Sequence, residues 1–132
     1  MTITKTININ CSAEKAFDFI SNPANWAFYA IHNVISINKN EKGDWIMQTP
    51  RGPGKLIMYP NKALGVFDHD FIDAGEGKWS VPARVVALPN GCQLMMTFSK
   101  PDQMPNEMFE DGMKLLQEEL TVLKKLLEEK KS

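Results

Sequence analysis

Several common chemical toolkits are missing from this chain of 132 residues. Cysteine is scarce: Cys11 and Cys92 lie far apart, with no CxxC or CxxxC spacing. Adding the two histidines, His32 and His69, in unrelated segments, leaves too few thiolate and imidazole ligands for a zinc site, so no metal is expected. Two reduced, buried thiols are the simpler expectation for a cytoplasmic protein. There is no Ser/His/Asp order, no P-loop and no dinucleotide fingerprint, so no cofactor is expected either. Charge of one sign is not in excess: 15 basic side chains stand against 16 acidic ones, for a formal net charge of −1. That balance leaves no electrostatic footprint for nucleic acid and no field to steer a charged macromolecule. No apolar run approaches the roughly 20 residues that span a bilayer. MTITKTININ alternates and is polar, reading as neither signal peptide nor anchor. The expectation is a cytoplasmic protein with no membrane insertion.

What is present fits a single domain over residues 1–132. The chain is long enough for one core, and 43% hydrophobic against 23% charged residues is an ordinary globular balance. No repeat, low-complexity segment or linker divides it. TITKTININ alternates Ile3, Ile7 and Ile9 with polar residues, as a half-buried strand does, with Lys5 as the exception. Ser12 is a good N-cap for AEKAFDFI, which carries Ala16, Phe17 and Ile20 on one side. Asn22-Pro23 ends that helix, and a second short one, about PANWAFYA, restarts with Pro23 in its first turn. Strands follow, separated by turn signals: HNVISINK, DWIMQT, KLIMY, LGVFDHDFI, WSVPARVVAL and CQLMMTFS. Turns this short imply an antiparallel meander. From about Pro105 to Lys130, Phe109, Met113, Leu116, Leu120, Leu123 and Leu127 recur at spacings of three and four, giving a long amphipathic helix.

The stretch GVFDHDF, residues 65–71, sets a histidine between two aspartates in an otherwise apolar strand. Its facing follows from register. A two-residue turn at Asn90-Gly91 places Ala87 opposite Leu94, Val85 opposite Met96 and Ala83 opposite Phe98, all apolar pairs on one buried face. Setting Ala83 opposite His69 then puts Phe67, His69 and Phe71 on that face beside Trp79, and pairs Asp68 with Arg84 outside. A slip of one residue would pair Phe67 with Arg84 and Phe71 with Ser80, mixing the faces. His69 therefore points inward and its flanking aspartates outward. Eight methionines are more than usual and suit an irregular apolar interior. Arg51, in a hairpin tip, is expected in solvent, while Trp45 and Tyr59 lie on strands that alternate too weakly to orient them. Gly112 interrupts the long helix where Ala would be about 1 kcal/mol better.

The order of elements, strand, two short helices, six strands and a long C-terminal helix, resembles the START/SRPBCC superfamily. CSAEKAFDFISNPANW after the first strand, the GVFDHDF and WSVPARVV strands, and EELTVLKKLLEE carry the resemblance, which covers essentially the whole chain. It implies an α+β helix-grip fold: a curved antiparallel seven-stranded sheet wrapped around a long C-terminal helix, with two short helices after strand 1. It also implies an apolar cavity between sheet and helix. In such a fold the first and seventh strands are neighbours, which would bring Cys11 near Cys92 and makes a disulfide conceivable.

Family functions include lipid and hydrophobic-metabolite binding, aromatase/cyclase chemistry and chaperone co-activation. The resemblance thus implies a pocket more firmly than a reaction. The expected partner is a small hydrophobic, lipid- or polyketide-like molecule, held by a monomer or homodimer. Phe67, Phe71, Trp79, Val81, Met96 and Phe98 are expected to form the wall, with Met113 on the helix and His69 as polar anchor. The first alternative is a polyketide cyclase- or dehydratase-type enzyme in which His69 is the catalytic acid/base. The second is a partner-binding, co-chaperone-like module.

Overall fold

The computed structural model describes residues 1–75 and 77–129. Strand β1 (Thr2–Ile9) leads into helix α1 (Ala13–Ile20) and a 3-10 turn at Pro23–Phe28. Then come β2 (Ser36–Lys39), β3 (Trp45–Thr49), β4 (Gly52–Asn61), β5 (Val66–Asp73), β6 (Lys78–Val81), β7 (Ala83–Leu88), β8 (Gly91–Ser99) and helix α2 (Asn106–Glu129). The architecture is α+β, an antiparallel sheet in the order β1-β8-β7-β5-β4-β3-β2 with β6 also on β5, gripping the long helix. None of the described helices is long and apolar enough to cross a membrane. The anticipated helix end at Lys130 and the centre of the 75–77 turn lie outside the described residues.

Local chemistry sets the opening elements. The Ser12 hydroxyl accepts the Lys15 N–H at 3.1 Å, capping α1, whose Ala16, Phe17 and Ile20 are buried. The Asn22 side chain accepts the Ala24 N–H at 3.1 Å and starts the next turn as 3-10 rather than α-helix. That turn buries Trp26, whose indole N–H donates to the Ile20 carbonyl at 2.7 Å.

The sheet has eight strands where the sequence suggests seven, and Pro82 makes the difference. His69 pairs with Val81 and Val66 with Arg84, so one register runs through β6 and β7 along β5. Pro82 has no N–H to give the ladder. Asp68, opposite it, instead accepts the Ala83 N–H on its carboxylate at 2.7 Å.

Both inner hairpins sit two residues from the expected register. Ala83 pairs with Met96, Val85 with Leu94 and Ala87 with Cys92, so the turn residues are Pro89 and Asn90. Gly91 is needed elsewhere: at φ 146°, a Cβ there would lie 2.4 Å from the Ile9 carbonyl oxygen. It permits the close approach of β1 and is not a turn residue. A shift of two keeps every side chain on its face, and so the inward facing of His69 is retained. The Asp68–Arg84 ion pair does not form, because Arg84 lies opposite Val66 and donates from Nε to the Leu64 carbonyl at 3.1 Å.

The apolar stripe of α2 is buried as its spacing demands, with Leu120, Leu123 and Leu127 at 0–1% exposure. Each such leucine contributes on the order of 1.5–3 kcal/mol. The C-terminal half of α2 is tied to β1: Lys124 donates to the Asn8 carbonyl at 2.9 Å, and Glu128 accepts the Asn10 N–H at 2.8 Å. With that end of the helix fixed against the sheet, its N-terminal half stands over a space.

Candidate functional site

That space is a cavity of about 710 Å³ between the sheet and the first half of α2. Small-molecule sites occupy roughly 300–1,000 Å³, so the volume suits a ligand rather than a few waters. β5 contributes His69 and Phe71, β6 Trp79 and Val81, and β8 Met96 and Phe98. From α2 come Phe109, Gly112, Met113 and Leu116, while Met47 and Leu56 of β3 and β4 close the far wall.

Seven of the eight residues singled out from the sequence thus line one cavity. Phe67 does not. It is fully buried behind His69, the two rings stacked at 6.1 Å between centroids, in the part of the interior that β5 shares with the core. Strand alternation gives the face of a residue but not where along the strand packing ends and empty space begins.

His69 is 5% exposed and held on two sides. Its Nδ1 lies 3.0 Å from the Phe67 carbonyl oxygen, and the Trp26 ring meets it edge-on at 4.9 Å between centroids. Burial pushes its pKa below the ordinary 6.5, outweighing the upward pull of the Phe67 carbonyl and of Asp68 and Asp70. At neutral pH the ring is uncharged. The flanking aspartates point to the other face, as expected, yet Asp70 is not solvated. Tyr59 covers it, donating its hydroxyl to Oδ2 at 2.8 Å, and Lys78 lies 3.7 Å away. A hydrogen bond from Ser80, followed by those from Tyr59 and Lys78, holds the Asp70 carboxyl below its usual value against the opposing effect of burial.

Glu119 was not legible as a site residue. It is 1% exposed and lines the cavity from α2. Its Oε2 accepts the backbone N–H groups of His32 at 2.8 Å and Asn33 at 2.9 Å, and Oε1 accepts the Asn33 side-chain amide at 2.9 Å. Tyr29 lies close by, its phenol pushed well above the ordinary value by burial and then by the charge of Glu119. Glu119 stands three residues after Leu116 and four before Leu123, the spacing of the buried stripe. That spacing was the available signal.

The remaining candidates separate cleanly. Arg51 is exposed, as expected, and rims the cavity mouth, where its guanidinium donates to the Asn33 side-chain oxygen at 3.5 Å. Gly112 lines the cavity, and a Cβ there would meet nothing within 4 Å, so no close approach of the sheet requires the glycine. Trp45 lies under the Lys39 ammonium, 5.0 Å from its ring centroid, and Tyr59 is on the outer face with Asp70; neither lines the cavity. His32 does not line it either, its Nε2 being 3.6 Å from Glu118 Oε1. Cys11 and Cys92 are neighbours but both are free thiols. Among the described residues no group of three or more His, Cys, Asp or Glu side chains could hold a metal ion.

No protein-family model matches the chain, and no curated protein does. Solved structures do. The Zhui aromatase/cyclase from Streptomyces sp. R1128 superposes with a TM-score of 0.78 at 13% identity, covering 97% of this chain and 93% of that one. A START superfamily protein from Mycobacterium smegmatis gives 0.70 at 14% identity, over 96% of this chain and 97% of its own. The Aha1 dimer from Colwellia psychrerythraea gives 0.75 at 14% identity, over 100% and 99%. At these identities the likeness establishes the fold alone: the chain has the helix-grip fold that these structures share.

Proposed function

We propose that this protein binds a small, mostly apolar, flat molecule in the cavity beneath α2. The observation that carries the reading is the cavity itself, a volume of about 710 Å³ walled by Phe71, Trp79, Val81, Met96, Phe98 and Met113 with His69 set among them. The space opens to solvent at the mouth where Arg51 lies, and an apolar molecule that enters it takes those apolar walls out of contact with water. Aromatic faces such as Trp79 suit a planar ligand, and the methionines adapt to its outline. A lipid- or polyketide-like molecule, the class that the resemblance implies, is compatible with that lining and with the aromatase/cyclase among the structural neighbours.

Native mass spectrometry of the freshly purified protein, followed by denaturing extraction, tests this. A defined apolar molecule that is retained by the wild type and lost from Trp79→Ala supports the reading. A protein that is empty and takes up no apolar probe contradicts it.

A second reading, an enzyme of cyclase or dehydratase type, is favoured by one feature: His69 is uncharged and can serve as a base towards a bound molecule. It requires turnover that follows the ionisation of His69, whereas binding alone requires no turnover.

A further inference from the structure

The hydrogen-bonding polarity of the ligand can be read from His69. A carbonyl oxygen has no proton to give, so the contact between Nδ1 and the Phe67 carbonyl, at 3.0 Å, fixes the hydrogen on Nδ1. In the uncharged ring the other nitrogen, Nε2, then carries a lone pair and no hydrogen. Nε2 has no hydrogen-bond partner among the described residues and is not among the fully buried unpaired atoms, and the ring lines the cavity. Trp26 meets the ring edge-on at 4.9 Å and Phe67 stacks against it at 6.1 Å between centroids, so the imidazole is packed in its orientation. The polar side chain that α2 contributes to the cavity lining, the Glu119 carboxylate, is also an acceptor, already engaged by the N–H groups of residues 32 and 33.

We propose that His69 selects for a ligand that presents a hydrogen-bond donor, an aromatic or allylic hydroxyl on an otherwise apolar ring system, and selects against one that presents a carbonyl at that point. The inference rests on the cavity being a ligand site, as proposed above, and adds the chemistry of the group that meets Nε2. A hydroxyl donates to Nε2 and completes its hydrogen bonding. A carbonyl oxygen in the same place sets two lone pairs against each other, and a plain hydrocarbon leaves Nε2 stripped of water without a partner.

Three probes of similar shape distinguish these cases: 2-naphthol, naphthalene and 2-acetylnaphthalene, each titrated into the full-length protein by calorimetry. Hydrophobic transfer alone favours naphthalene over the more polar naphthol. The expected result reverses that order, with 2-naphthol bound about tenfold or more tighter than either of the others, as one satisfied buried hydrogen bond implies. In His69→Phe the advantage disappears while naphthalene still binds. The nitrogen NMR spectrum of the wild type provides a check independent of any variant: Nδ1 should carry the proton, and the Nε2 signal should move when 2-naphthol is added. Naphthol and ketone binding equally, an advantage that survives His69→Phe, or a proton on Nε2 would each overturn the inference while leaving the cavity reading intact. If none of the three probes binds, the cavity reading fails and this inference fails with it.

Discussion

Glu119 on α2 accepts the backbone N–H of His32 at 2.8 Å. With the two further bonds to Asn33, this carboxylate fastens the helix to the segment that follows the 3-10 turn, and Asn33 carries the connection on to Arg51 at the cavity mouth. The first prediction concerns that clasp. Glu119→Ala removes the acceptor for three N–H donors, and each donor left unpaired in the interior costs roughly 1–3 kcal/mol. Allowing for water reaching some of them, we expect a loss on the order of 3 kcal/mol, read as a lower urea midpoint with an unchanged slope. Glu119→Gln keeps one acceptor oxygen and should fall between. A neutral Glu119→Ala would mean that the clasp is not formed.

Gly112 provides a contrast. A Cβ at this position meets nothing within 4 Å, and its backbone is helical, so Gly112→Ala should stabilise the protein by about 1 kcal/mol through helix propensity alone. Thermal unfolding measures it directly. Destabilisation would indicate that the helix is bent or closely approached there.

The buried histidine gives the stability a pH dependence of definite sign. The folded-state pKa of His69 is below its ordinary 6.5, so the unfolded chain binds its proton first as pH falls. His69's contribution is therefore fully present above about 6.5 and is lost as pH descends from there through the lower folded value. Below the folded value no further loss comes from this group. Urea titrations between neutral and mildly acid pH should show the decline in wild type and a flatter profile in His69→Phe. Equal slopes in the two would contradict burial of the ring.

The two thiols should differ in reactivity. Burial, reinforced by Cys11, pushes the Cys92 thiol up to about 11, leaving almost no thiolate at neutral pH. Alkylation of the folded protein with iodoacetamide should spare Cys92 and modify it once the chain is unfolded in urea. Rapid labelling of Cys92 in the folded protein would exclude this placement.

Much of this architecture was readable from residue order, and the failures have physical causes. The facing of Phe71, Trp79, Val81 and His69 came out correctly although both hairpin registers were off by two, because strand side chains repeat with period two and an even slip leaves the faces unchanged. Asn90-Gly91 misled because Gly91 has two possible uses, and its close contact with the Ile9 backbone is long-range information absent from the local pattern. The break at Pro82 could have been anticipated from its missing N–H, whereas the rescue of the Ala83 N–H by Asp68 could not. Glu119 carries a charge, which places it by type on the wet face of α2. Its burial is decided by the backbone donors of residues 32 and 33, which come from a distant part of the chain.

The central claim is that the space beneath α2 admits an apolar molecule, and saturation binding of N-phenyl-1-naphthylamine tests it most directly. One saturable site per chain is predicted, with energy transfer from Trp26 and Trp79 at the cavity wall, and it should be lost in Gly112→Leu, which fills the space while keeping a helix-favouring residue. Fluorescence that never saturates, or a site that persists unchanged in a folded Gly112→Leu protein, would contradict the account.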